Sequence, residues 1–217
     1  MILYTKTGCI AACLAYYHDK FGGKIEMTYQ MTIAGVTREL PLCPLNDELM
    51  IGAFVIFGDV ELTCACAKAL LEIAPEYDYM IAPEAKAIPL IHEMARQSGR
   101  NDYFLVRKKP KLYMGDVFEV EDVSITTQGK QKLYMSAADA EKMRGKRVLI
   151  IDDVTSTGGS FKAVEHLVKM AGGIVAGKMA ILAEGGAAAR EDILYLLPLP
   201  LFDKDGNPIR PCLKSEG

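Results

Sequence analysis

"VLIIDDVTSTGGS", residues 148–160, runs from four apolar residues into two adjacent acids, then into hydroxyls, two glycines and a further hydroxyl. A turn alone needs no paired carboxylates, and a solvated acidic cluster needs no glycines. The apolar run reads as a buried strand that ends on Asp152 and Asp153, with a helix starting near Gly158. Phe161, Val164, Leu167, Val168 and Ala171 recur at helical spacing and mark the buried face of that helix.

Working outward, strands and helices alternate from about residue 50, which argues for a mostly parallel sheet with helices on its faces. "MIGAFVIF" (50–57) reads as a strand, and Asp59 as the cap of a helix carrying Leu62, Cys66, Ala69, Leu70 and Ile73 up to Pro75. "YDYMIA" (77–82) is the next strand, and "PEAK" turns into a helix with Ile88, Ile91, Met94 and Ala95 that Gly99 ends. "DYFLVR" (102–107) is a third strand. Residues 118–136 flank "TQGK" with alternating runs and read as a hairpin or flexible ribbon. A short helix capped by Ser136 leads back to "RVLII", and residues 172–184 supply a further strand. Before this alternation, residues 24–43 read as a β-hairpin turning at "AG", after a helix over 7–17. The predicted organisation is an N-terminal elaboration (1–48), an α/β core (49–202) and a turn-rich tail or loosely attached edge (203–217).

The chain's 217 residues exceed a usual domain of ~100–150 but are few for two. A net charge of −3 argues against a general nucleic-acid binder. No apolar run reaches the ~18 residues that a membrane helix needs. The N-terminal apolar stretch lacks a basic flank, so a signal peptide is not expected and a cytoplasmic location is. None of the six cysteines forms a C-x-x-C pair; Cys9, Cys13 and His18 match no usual zinc spacing, and reduced, partly buried thiols are the reading adopted. His18, His92 and His166 are scattered and read as helix-surface residues.

The chemistry of the opening stretch follows from where it sits. Open α/β sheets bind ligands at the carboxyl ends of their strands. There the main-chain amides of residues 157–160 point out of a helix end whose dipole favours an anion. Gly158 and Gly159 let a phosphate approach the main chain, and Thr155, Ser156, Thr157 and Ser160 add hydroxyl donors. Asp152 and Asp153 repel a phosphate but accept hydrogen bonds from vicinal hydroxyls, or face a hydrated magnesium ion. Acceptors for a diol beside amides for a monophosphate fit a ribose 5-phosphate. Neither a G-K-[ST] loop nor a G-x-G-x-x-G run competes for this stretch.

The stretch closely resembles the phosphoribosyl-pyrophosphate (PRPP) motif of the type I phosphoribosyltransferases: an apolar strand, two acids, then T-G-G-T/S. "APEAKAIPL" (82–90) is similar to the "PEARGF" segment of the adenine enzymes, and "YFLVRKKPKLY" (103–113) to their "R-K-x-x-K-L" segment. The resemblance covers roughly residues 50–185. It implies a twisted, mostly parallel sheet with helices on both faces, a small N-terminal hood and a flexible β-ribbon loop. It also implies transfer of ribose 5-phosphate from PRPP to a nucleobase, with Mg²⁺ as cofactor and a homodimer as the assembly. Asp152 and Asp153 would orient the ribose, directly or through metal-bound water. Glu84, Ala85, Lys86, Arg107, Lys108 and Lys111 would form the pyrophosphate site, and Gln128, Gly129 and Lys130 would lie on the closing loop. Asp153 is the weaker candidate for general acid or base.

Two departures bear on the base. Lys86 and Ala87 stand where the adenine enzymes usually have Arg and Gly, and Thr127 and Gln128 stand where their loop carries a Glu-Tyr pair. A purine is expected, adenine first, but the pyrophosphate segments cannot report on the base. The alternatives are a transferase for hypoxanthine, guanine, xanthine or a pyrimidine, and a non-catalytic PRPP-binding regulator. Residues 1–48 do not read as a helix-turn-helix, which favours the enzyme. The base would be held by residues 1–48 and residues near Glu184.

Overall fold

The structure is a computed structural model and describes residues 27–122 and 131–209. The helix read over 7–17, the Cys9, Cys13 and His18 set, and loop residues Gln128, Gly129 and Lys130 lie outside the described residues. In chain order the elements are β1 (Thr28–Ile33), β2 (Val36–Pro44), β3 (Leu49–Gly52), α1 (Val60–Ile73), β4 (Tyr79–Pro83), α2 (Ile88–Gln97) and β5 (Phe104–Val106). They continue with β6 (Val117–Asp122), β7 (Gln131–Ser136), α3 (Ala137–Met143), β8 (Arg147–Thr155), α4 (Gly159–Met170), β9 (Ile174–Glu184), β10 (Leu194–Leu199), β11 (Leu201–Asp203) and β12 (Pro208–Ile209).

Five parallel strands make the central sheet, in the order β10-β9-β8-β4-β5. Neighbouring residues of a strand point to opposite faces, so a sheet covered on both sides needs continuous apolar strands. β8 shows this directly: Leu149 and Ile151 join α1 and α2 in one buried cluster, while Val148 and Ile150 join α3 and α4 in another. Each fully buried Leu or Ile on these helices contributes roughly 1.5–3 kcal/mol relative to exposure. The predicted caps hold, with Asp59 accepting from the Leu62 amide at 3.1 Å and Ser136 from the Asp139 amide at 3.1 Å. The predicted face of α4 is buried throughout.

The second sheet is antiparallel, in the order β1-β2-β3-β11-β12. Its first hairpin turns at Ala34 and Gly35 as predicted, with φ of 49° and 82°. A tight two-residue hairpin needs that left-handed pair, which glycine adopts freely and alanine does not. The strand predicted over 50–57 is shorter, ending at Gly52, and it pairs antiparallel with β2 and β11 instead of entering the parallel sheet. Phe54 and Ile56 are buried all the same, so the apolarity of that stretch reports packing and not strand pairing. The boundaries read at 48/49 and 202/203 therefore cut across one sheet. Its far edge is tied down: Phe202 is fully buried against Leu42 and Met50, and Asp203 accepts from the Asp205 and Asn207 amides at 2.9 Å each.

Two further differences concern the central sheet. β10 is a strand that the alternation read from the sequence does not include; it contains Pro198 and lies at the sheet edge, where a missing donor is tolerated. β8 does not stop at the acids but continues to Thr155, pairing Val154 and Thr155 with Leu182 and Ala183 of β9. Among the described residues no helix is long and apolar enough to cross a membrane. Cys64 and Cys66 are free thiols, and burial pushes Cys66 up to about 12.

What positions the site is the order of strands. β4 continues through α2 to β5 on one side, whereas β8 continues through α4 to β9 on the other. The chain leaves two adjacent strands toward helices on opposite faces. A crevice opens at their carboxyl ends, where such sheets hold ligands.

Candidate active site

The three segments singled out in the sequence follow the carboxyl ends of three adjacent strands, β8, β4 and β5. Asp152 and Asp153 sit inside the last residues of β8, 8% and 2% exposed. The Asp152 Oδ1 accepts from the Asp153 amide at 2.9 Å. Asp153 Oδ2 makes an ion pair with Lys86 Nζ at 2.7 Å, across the crevice from the β4 end. Burial, with the Asp153 charge beside it, pushes the Asp152 carboxyl well above the usual range. Burial alone would lower Lys86, but Asp153, with Asp152 and Glu184 behind it, outweighs this and holds the ammonium above its ordinary pKa.

Glu84 and Arg107 meet between the β4 and β5 ends, with Arg107 Nε 2.8 Å from Glu84 Oε2. The Glu84 Oε1 also accepts from the Lys108 amide at 3.1 Å. Glu84 thereby holds the "RK" segment, and Arg107 is turned toward it. The Glu84–Ala85 peptide is cis. Arg107 is also bonded through its main chain to Tyr134, which fixes the β6–β7 ribbon to the end of β5. Lys111 stands exposed at the head of a 3₁₀ turn, Leu112–Met114.

The second half of the motif forms a loop between β8 and α4. Gly158 is the cap residue with φ of 74°, a left-handed conformation that glycine accepts without strain. The first intrahelical bond runs from the Lys162 amide to the Gly158 carbonyl at 3.0 Å, so the amides before it point out of the helix end. Ser156 and Thr157 are exposed, Gly159 and Ser160 half-buried. Thr155 Oγ1 is buried with no hydrogen-bond partner among the described residues, and a buried hydroxyl in that state suits a polar ligand.

The structure thus brings Asp152, Asp153 and Lys86 together, and Glu84, Arg107 and Lys108 together beside them. His92 and His166 are exposed on α2 and α4, as read. Among the described residues no three His, Cys, Asp or Glu side chains gather to hold a metal ion. Two carboxylates alone suit a hydrated Mg²⁺ that arrives with oxygen ligands of its own. Sequence reasoning missed Arg190, whose guanidinium lies against Gly158. A single arginine in "AAARED" carries no motif, and only the return of β9 beside β8 places it there.

With this geometry in hand, likenesses to known proteins are informative. Residues 64–213 match the family described as phosphoribosyl transferase domain. An adenine phosphoribosyltransferase of Thermotoga petrophila is 38% identical over 109 residues, 50% of this chain and 60% of that protein. An orotate phosphoribosyltransferase of Rhodopseudomonas palustris is 36% identical over 102 residues, 45% of this chain and 46% of that one. The crystal structure of an adenine phosphoribosyltransferase from Thermoanaerobacter pseudethanolicus superposes with a TM-score of 0.56 at 25% identity, covering 66% of this chain and 84% of that one. The match spans most of the chain and contains all three segments of the crevice, so this protein belongs to the type I phosphoribosyltransferase family.

Proposed function

We propose that the protein transfers ribose 5-phosphate from PRPP to a ring nitrogen of a purine, adenine first, releasing pyrophosphate. The observation that carries this reading is the crevice at the ends of β8 and β4, where a buried acid pair lies across from Lys86 and beside an amide-lined loop. The loop of residues 155–160 takes the 5′-phosphate, and Asp152 and Asp153 accept from the ribose hydroxyls. As the C1–O bond breaks, negative charge grows on the leaving pyrophosphate, and Lys86, Lys108 and Lys111 are the cations placed to stabilise it. Arg107, held by Glu84, keeps the basic segment at the β5 end in place. Mg²⁺ bound to PRPP would supply further charge neutralisation, with Asp152 and Asp153 as the residues facing it. The β6–β7 ribbon is the element suited to exclude water, since hydrolysis is the wasteful side reaction.

Adenine leads because the adenine enzymes supply both the segment resemblance and the first likeness named above. The orotate relative supports keeping the base as a separate matter, since in this reading the acids, amides and cations of the crevice handle PRPP and not the base. The test is kcat/KM with PRPP for adenine, hypoxanthine, guanine, xanthine, uracil and orotate. Preference for a purine supports the reading, and a clear pyrimidine preference overturns the base while keeping the transfer chemistry. PRPP binding with no turnover on any base would make the protein a regulator instead.

A further inference from the structure

We propose that Arg190, clamped by Asp192, is a positioning residue for the phosphate loop: it pins the Thr157 carbonyl so that the Gly158 amide faces the ligand phosphate. The inference rests on reading residues 155–160 as the 5′-phosphate site. Arg190 follows the 3₁₀ turn Gly185–Ala189 that ends β9. Its Nε and Nη2 donate to Asp192 Oδ1 and Oδ2 at 2.9 and 2.8 Å, a two-bond fork that fixes the guanidinium plane. Asp192 is also held by Lys178 Nζ at 2.6 Å, and Lys178 reaches Glu165 of α4 at 3.1 Å. The clamp is therefore anchored on the same helix whose first turn opens onto the proposed phosphate.

One nitrogen is left over, and it points at the loop. Arg190 Nη1 lies 3.4 Å from the Thr157 carbonyl oxygen, a long contact that a charged donor strengthens. The guanidinium covers Gly158, which is buried. A Cβ built on Gly158 would overlap Nη1 and stand 2.9 Å from Cζ, so any side chain here would displace the guanidinium, while φ of 74° itself favours glycine.

The consequence follows from peptide geometry. In a trans peptide the carbonyl and the amide point in opposite directions. Holding the Thr157 oxygen toward Arg190 turns the Gly158 amide away from it. Glycine on one side of that peptide makes it easy to rotate in the absence of such a restraint. The fork to Asp192 holds the cation at the Thr157 carbonyl, so in this proposal Arg190 acts through the main chain.

The experiment is calorimetric titration of the full chain with ribose 5-phosphate and, separately, with pyrophosphate, for the wild type, Arg190→Lys and Asp192→Asn. Arg190→Lys should weaken ribose 5-phosphate binding about tenfold, the effect of losing roughly one oriented hydrogen bond. Asp192→Asn, which keeps the guanidinium but loosens its clamp, should move in the same direction by less. Pyrophosphate binding should be unchanged in both variants, which a general loss of structure would not allow. Unchanged ribose 5-phosphate affinity in both variants, or equal losses for the two ligands, would overturn the role given to Arg190. If the wild type itself fails to bind ribose 5-phosphate, the phosphate-site reading falls first, and that result is distinct from either of the others.

Discussion

Lys86 Nζ and Asp153 Oδ2 lie 2.7 Å apart across the crevice, although one belongs to the loop after β4 and the other to the end of β8. The pair joins the proposed pyrophosphate and ribose halves of the site. Asp153 is almost fully buried, whereas the Lys86 side chain is 35% exposed, so the cation has room to turn toward an arriving polyanion while the acid stays in place.

Removing the cation should therefore hurt the fold as well as the reaction. Lys86→Met leaves Asp153 as a buried charge without its partner, and we expect a loss of roughly 1–3 kcal/mol. That is below the figure for a fully buried pair because Lys86 is partly solvated. Adding Asp153→Asn should recover most of that stability but no turnover. Chemical denaturation of the two single variants and the double variant checks it; additive losses would mean that the two side chains are not coupled.

Asp152→Asn should stabilise the free protein while abolishing most turnover. The Asp152 carboxyl titrates higher in the fold than in the unfolded chain, because burial and the neighbouring Asp153 disfavour its charge. Its contribution to stability is fully present below the ordinary carboxylate range, about 4, and is lost as pH rises through the higher folded value. The amide has no such loss. Melting temperatures from pH 4 to 8 should show the variant gaining on the wild type as pH rises, and a constant difference would contradict the assignment.

Lys111→Ala should weaken PRPP and pyrophosphate while sparing a nucleoside monophosphate, which has nothing at the pyrophosphate position. Lys111 is exposed and sits outside the packed core, so the melting temperature should stay within about 1–2 °C of the wild type, as for surface substitutions generally. Equal losses for PRPP and AMP in titrations would place Lys111 elsewhere.

Asp59→Ala tests the junction between the two sheets. Asp59 caps α1, and its carboxylate also binds Arg38 of β2, with Nε at 2.6 Å and Nη2 at 3.0 Å. Losing a cap alone costs about 1 kcal/mol. We expect roughly 1.5–3 kcal/mol here, since a half-buried charged fork is lost with it. Asp59→Asn, which keeps an N-cap oxygen, should recover part of the difference in denaturant midpoint.

Much of this protein was legible in its sequence because the relevant signals are local. Helical spacing fixed the buried face of α4, a capping side chain fixed the start of α1, and the Ala34–Gly35 pair fixed the first hairpin. The acids, hydroxyls and glycines of residues 152–160 could be read locally as partners for a diol and a phosphate, because each chemical group needs its own kind of partner at short range. Tertiary structure alone decided what met what. Residues 49–52 and 201–203 pair with each other in the antiparallel sheet, since strand pairing depends on which edges come together and not on the apolarity of a run. β8 continues past its acids because β9 offers a partner for Val154 and Thr155. Lys86 faces Asp153 because the strand order reverses at β4 and β8, Glu84 faces Arg107 because β4 and β5 lie side by side, and Arg190 backs Gly158 because β9 returns beside β8, so segments distant in the chain meet at one crevice. Local sequence carries the propensity of each piece, while long-range contacts form only when the whole sheet closes around them.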